Sequence, residues 1–276
     1  MSSANIPVSL AVSCPVRGRC VAAGFAESGA KTGVPVIEQL SGGRWHPVTP
    51  PRPGDASPSG GAILTDVSCP AAGWCVAAGW YLNTGSRRAA YVDTLSDGAW
   101  TAAAAPLPGD AAATGQLAGL WAVSCPAPGT CVGGGHYLDR GGQPRYLIDR
   151  LSAGTWTAAA APLPVGAAAD QKWSQDQATV IGGLGCASAS FCVATAGYVT
   201  ADNEIVPAIE TLSGGTWTAA RAPLPADAAV ASGQGNAAYL MLATCPSPSS
   251  CLTVGNYPAA DGTVAGVLET AAPRHG

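Results

Sequence analysis

One unit recurs five times along the chain, and that repetition limits what the chain can fold into. The run Val12-Ser13-Cys14-Pro15 to Cys20-Val21-Ala22-Ala23-Gly24 returns as Val67-Ser68-Cys69-Pro70 to Cys75-Val76-Ala77-Ala78-Gly79. It returns again as Val123-Ser124-Cys125-Pro126 to Cys131-Val132-Gly133-Gly134-Gly135, with looser copies around Cys186 and Cys192 and around Cys245 and Cys251. The two cysteines of each copy are six residues apart, and successive first cysteines are 55, 56, 61 and 59 residues apart. One repeat of this kind cannot bury its own apolar face, so the copies must stack on one another as a cooperative array.

Ten cysteines in five evenly spaced pairs read as five local disulfides: Cys14–Cys20, Cys69–Cys75, Cys125–Cys131, Cys186–Cys192 and Cys245–Cys251. Each would close a short loop, for which chain entropy alone predicts roughly 2–2.5 kcal/mol. Zinc is the rival, but C-x5-C is not a usual ligand spacing and three scattered histidines cannot complete five sites. Five disulfides imply an oxidising compartment and a secreted protein. Residues 1–6 are polar and short, so the expectation is a mature chain whose leader has been removed and to which Met1 has been added. No run approaches the ~18 consecutive apolar residues of a membrane helix. A net charge of -4 with 13 unclustered Lys and Arg argues against nucleic acid or membrane insertion.

Each repeat resolves into four short extended runs. In the second, Ala62 to Ser68 and Cys75 to Tyr81 form a hairpin around Pro70-Ala71-Ala72-Gly73. A third run, Ala89 to Leu95, then turns through Ser96-Asp97-Gly98 into Trp100-Thr101-Ala102-Ala103. The Ala-rich stretches are too short and too closely bounded by Pro to be helices. Four-stranded antiparallel units repeated in this way make a β-propeller, which protects its sheet edges by packing blade on blade. The expected fold is therefore all-β, a single five-bladed β-propeller over residues 7–271. Its blades run approximately over 7–55, 62–108, 119–165, 179–226 and 238–271, with one disulfide per blade. The fifth unit lacks its Gly-x-Trp strand, for which residues 1–7 are one candidate, an incomplete blade and further chain being the others.

The pattern L-x-x-V-S-C-P-x4-C-V-A-x-G, seen in full at Leu64 to Gly79, is followed by an acidic residue, a D-G or G-G turn and W-T. It looks like the repeats of secreted actinobacterial β-propeller proteins and covers nearly the whole chain. The resemblance implies a blade fold and a secreted life. By analogy with five-bladed propellers it also implies either a lectin or a glycosidase.

The repeats act as an internal control, because a feature present in every copy is scaffold and a feature present once is a candidate site. Glu38, Asp93, Asp149, Glu210 and Glu269 occupy one place on the third strand of every copy and are expected to make structural hydrogen bonds. Trp45, Trp100, Trp156 and Trp217 are expected to pack between blades, and Asp55, Asp110 and Asp227 to form Asx turns. Tyr81, Tyr137, Tyr198 and Tyr257 end the second strand beneath a variable neighbour, including Trp80 and His136. The longest inter-repeat link carries Asp170, Gln171, Lys172, Trp173, Ser174, Gln175 and Asp176, an aromatic among amides and acids. A sugar could stack on Trp173 and bond these groups; the rival reading is a loop plugged by its own Trp. Candidate ligand-binding residues are thus Trp173, Asp170, Gln171, Lys172, Asp176, Trp121, His136, Tyr137, Trp80 and Tyr81, with Asp139 and Arg140 nearby.

These features point to a binding module for cell-surface or cell-wall glycan, with no cofactor and no metal. Two other functions fit the same residues. One is a glycan-active enzyme at the channel mouth with Asp66 as its acid or base, although a glycosidase needs a second carboxylate about 5–5.5 Å away or further. The other is a scaffold for a partner protein in a secreted assembly. No nucleophile elbow, metalloprotease helix, phosphate loop or dinucleotide fingerprint is present.

Overall fold

Short runs of mostly small apolar residues bounded by Gly, Pro and polar turns give strands, and strands are the only regular elements among the described residues. The computed structural model describes residues 7–27, 33–171, 181–229, 238–247 and 249–271. The first sheet contains β1 (Pro7–Val16), β2 (Arg19–Glu27), β3 (Gly33–Ser41) and β4 (Arg44–Val48). The second contains β5 (Ala62–Ala71), β6 (Trp74–Leu82), β7 (Arg88–Ser96) and β8 (Ala99–Ala104). The third contains β9 (Gly119–Ala127), β10 (Thr130–Leu138), β11 (Pro144–Ser152) and β12 (Thr155–Ala160), and the fourth β13 (Ile181–Ser188), β14 (Phe191–Val199), β15 (Ile205–Ser213) and β16 (Thr216–Arg221). The fifth has three strands, β17 (Tyr239–Ser247), β18 (Ser250–Pro258) and β19 (Val264–Ala271). Strand order follows chain order in every sheet, and each paired register recorded is antiparallel. Pro7 already belongs to β1, and residues 1–6, the rest of the candidate closing strand, lie outside the described residues.

The chain divides into two compact units. One comprises Met1–Leu107, Ala112–Gly133 and Asp149–Ala158, and the other Pro108–Ala111, Gly134–Ile148 and Ala159–Gly276. In the first, Val21, Ala23 and Ile37 on one face of the first sheet pack against Leu64, Val67, Ala77, Tyr81, Tyr91 and Leu95 of the second. Trp100 packs against this layer, as its repeat position suggests, whereas Trp45 at the same place on β4 is exposed. In the second unit, Ala222, Leu240, Tyr257 and Val267 form one cluster, and Phe191, Val193 and Cys251 another. Each large side chain buried this way contributes about 1.5–3 kcal/mol.

The Val-Ser-Cys motif has a direct structural meaning. Ser13 Oγ accepts the Cys69 N–H and Ser68 Oγ accepts the Cys125 N–H, both at 3.0 Å, so the serine of one repeat is bonded to the cysteine of the next. Every one of the ten cysteines is in its expected disulfide, with Cα atoms 3.9–4.1 Å apart across the hairpin.

On the inner strands β1, β5, β13 and β17 the register slips by one residue, as between Leu64 and Asp66, leaving a β-bulge. The bulge pushes the Ile63 carbonyl against β6, where a Cβ on Gly79 would lie 1.9 Å from its oxygen. Only glycine fits there.

The loops between sheets are tied to the loops following β6, β10, β14 and β18. The Asp55, Asp110 and Asp227 carbonyls accept the Thr84, Arg140 and Ala260 N–H groups at 2.8, 2.7 and 2.8 Å. The same three aspartates accept the phenol protons of Tyr81, Tyr137 and Tyr257 at 2.6, 2.9 and 3.0 Å. The aspartate side chains therefore hold a distant tyrosine, where the sequence suggested local Asx turns. In the fourth copy Gly166 stands in place of the aspartate, and only the backbone link to Ala201 is formed, at 3.3 Å. Two outcomes follow. Gly79→Ala should lower unfolding stability by about 3 kcal/mol through overpacking, read from denaturant midpoints. Tyr81→Phe should lower it by about 1 kcal/mol, an effect absent from Tyr198→Phe.

Candidate functional site

Two of the residues singled out in the sequence, Trp80 at the end of β6 and Trp121 on β9, come together around a third. The Arg88 guanidinium lies over both rings, 4.8 Å from the Trp80 centroid and 5.4 Å from that of Trp121. The backbone brings this about. Arg88 N–H donates to the Gln116 carbonyl at 3.2 Å and the Arg88 carbonyl accepts the Ala118 N–H at 3.0 Å, so the segment entering β9 is strapped along the start of β7. Gly119 then passes so close that a Cβ there would meet Arg88 Nη2 at 3.2 Å and the Trp80 Cβ at 3.3 Å. Burial lowers the guanidinium pKa to about 10, which leaves it charged at neutral pH. All three side chains are half-buried, so aromatic and cationic surface is presented together.

The remaining candidates take other places. Tyr81 and Tyr137 are buried and committed to Asp55 and Asp110. His136 is wholly buried. Gln171 is also buried; its amide donates to the Ala168 and Val199 carbonyls at 2.8 and 3.0 Å and its oxygen accepts the Val199 N–H at 2.9 Å. Asp139 shapes its own loop by accepting the Gly141 and Gln143 N–H groups, and pairs with Arg145 at 2.8 Å. Arg140 donates to the Gly109 carbonyl at 2.6 Å. Asp170 is exposed. Lys172, Trp173, Ser174, Gln175 and Asp176 lie outside the described residues.

Asp66 sits at the inner-strand bulge. Its two oxygens accept the N–H groups of Val67 and of Val123 on β9, both at 2.8 Å. Burial raises its pKa to about 6, and these two donors moderate the rise. This carboxylate thus joins one inner strand to the next, as Ser68 does beside it.

The third-strand acids behave differently from the hydrogen-bonding role expected of them. Asp93, Asp149 and Glu210 are completely buried, and neither oxygen of any of them has a hydrogen-bond partner among the described residues. Their strand neighbours are small: Ala77 and Ala102 flank Asp93, and Ala194 and Ala219 flank Glu210. Desolvation raises Asp93 to about 8 and Glu210 to about 9, and raises Asp149 far above the usual carboxylate range. Values of about 8 and about 9 leave Asp93 and Glu210 protonated at neutral pH. Glu38 and Glu269, in the first and last sheets, are half-buried. Among the described residues no group of three or more His, Cys, Asp or Glu is placed to hold a metal ion, and no helix is long and apolar enough to cross a membrane.

No known family description matches the chain, and no curated protein does. Among solved structures it is similar to a protein of unknown function from Dyadobacter fermentans DSM 18053, with 12% identity and a TM-score of 0.54 over 97% of this chain and 76% of that one. It is also similar to a Trypanosoma rangeli sialidase in complex with sialic acid, with 13% identity and a TM-score of 0.50, over 94% of this chain but only 44% of the sialidase. A fucose-specific lectin from Aleuria aurantia aligns at 12% identity and a TM-score of 0.43, over 96% of this chain and 76% of the lectin. The first two likenesses show the fold: repeated antiparallel blades of the β-propeller type.

The buried acids make stability depend on pH. Folded Asp93 keeps its proton up to about pH 8, whereas unfolded Asp93 releases it near its ordinary value of 3.8. Its contribution to stability is therefore complete below about pH 4 and is lost progressively up to about pH 8. Asp93→Asn should be more stable than the parent by about 4 kcal/mol at pH 7, and the two should converge near pH 4. Denaturant melts at the two pH values measure this directly.

Proposed function

We propose that the five sheets close into one five-bladed β-propeller, a secreted protein of the actinobacterial repeat type, that works as a glycan-binding module. The half-buried stack of Trp80, Arg88 and Trp121 carries this reading. An indole face accepts the C–H surface of a sugar ring, while a guanidinium offers a planar fork of donors to its hydroxyls. The cation lies against two rings, so it is ordered before the ligand arrives and little side-chain entropy is lost on binding. The five disulfides suit an oxidising, extracellular setting. The likeness to sialidases concerns less than half of those chains.

A glycan and cell-wall polysaccharide array, run with the parent protein and Trp121→Ala, tests the reading. Selective binding that falls at least tenfold in the variant, about 1.4 kcal/mol, is the expected result. A blank array at high protein concentration, or binding indifferent to Trp121→Ala, would remove the stack as a glycan site.

A further inference from the structure

The repeats identify a second place where the chain departs from its own pattern. The residue before the second cysteine is Arg19, Trp74, Thr130, Phe191 and Ser250 in successive copies. In the fourth copy Phe191 is buried against Val193 and Cys251, filling the space beside the disulfide of the following sheet. In the first copy Arg19 stands there and is exposed. A second departure lies on the same face. In the second, third and fourth sheets the outer strand carries Thr101, Thr157 and Thr218, each donating its hydroxyl across the ladder to the carbonyl of Thr94, Arg150 and Thr211 at 3.4 Å. The first sheet has Gln39 paired with His46 at this position.

These changes converge on one cavity of about 310 Å3 between the first and second sheets, at the disulfide end of the first unit. Arg19, Gln39, Ser41 and His46 line one wall, and Cys75 and Leu95 of the second sheet line the other. Register shows how they come to share the space. Gln39 lies opposite Val21 on β2 and His46 on β4, and Val21 and Ile37 on that face enter the core against the second sheet. Apolar surface therefore floors the cavity. Its rim carries a guanidinium, an amide and an imidazole, and no acidic side chain is among the described residues lining it.

We propose that this cavity is a second binding site, separate from the Trp80–Arg88–Trp121 stack and independent of the glycan reading, for a small polyhydroxylated carboxylate of the sugar-acid class. The guanidinium takes a carboxylate through two parallel N–H bonds. The Gln39 amide and the His46 imidazole offer both donors and acceptors, as hydroxyl groups require. Val21, Leu95 and the Cys75 sulfur meet the C–H side of the ring. The volume lies at the small end of the ~300–1,000 Å3 typical of ligand sites, which suits one ring and excludes a long chain.

Nuclear magnetic resonance titration of the folded protein with D-galacturonate and, separately, with D-galactose tests the site. Two variants use residues that other repeats already carry at these positions, so both are expected to fold: Arg19→Phe and His46→Thr. Galacturonate should bind at least tenfold more tightly than galactose and should shift the Arg19 and Gln39 side-chain signals. Arg19→Phe should weaken it at least tenfold, His46→Thr several-fold, and Trp121→Ala not at all. The proposal is overturned if galacturonate fails to bind, if galactose binds equally well, or if binding survives Arg19→Phe and His46→Thr unchanged. Loss of galacturonate binding in Trp121→Ala would overturn the separateness of the two sites, whatever the glycan array shows.

Discussion

A sheet built from these repeats is apolar on both faces and can cover neither by itself. Packing of one sheet face against the next is the constraint on which the other features depend. Val21, Ala23 and Ile37 are buried only because Ala77, Tyr91 and Leu95 lie against them. Close packing at that interface needs small residues on the inner and second strands, and inner-strand bulges whose carbonyls leave no room for a Cβ at Gly79. It also needs polar backbone groups at the seam to be satisfied. Ser13, Ser68 and Asp66 accept N–H groups of the following repeat there. The disulfides then hold the hairpin tips, and Cys69, Cys75 and Cys251 are themselves part of the buried apolar clusters.

The buried acids oppose this economy. A protonated carboxyl with no partner is costly inside an apolar layer, yet three sheets place one at the same point of the third strand. The alanines flanking Asp93 and Glu210 leave these carboxyls among small apolar neighbours, and their neutral form keeps an isolated charge out of the layer. The consequence is that these groups contribute more to stability towards acid pH, opposite to ionised salt bridges.

Repetition also separates sites from scaffold. Trp80 and Trp121 were visible in the sequence as departures from the pattern, but Arg88 was not. It follows Arg87 in a polar loop and reads there as a solvated charge. Only the pairing of its backbone with residues 116–118 carries it between two indoles. Arg19, Gln39 and His46 carry no distinguishing signal in the sequence for a related reason. Each is an ordinary polar residue on a strand, and their convergence appears only when two sheets face each other. Gln171 shows the reverse case: an amide in a loop that looked ready for a ligand is buried and bound to the backbone at Val199.

By itself, the sequence determined what is local or repeated. The strands, their hairpin turns, the five disulfides and the lack of a Gly-x-Trp run in the last copy all depend on neighbours within a few residues or on comparison among copies. Tertiary structure decided what depends on distance. The Tyr81, Tyr137 and Tyr257 phenols find Asp55, Asp110 and Asp227 across separations of 26, 27 and 30 residues. No local pattern encodes such a bond, and in sequence each partner has a plausible local role. Whether an acid at one repeated position is hydrogen-bonded or isolated is settled by what the adjoining sheet presents to it. Asp93 is enclosed and Glu38 half-open for that reason: a sheet faces the first on the side that carries Asp93, whereas Glu38 lies on the face of the first sheet turned away from that core.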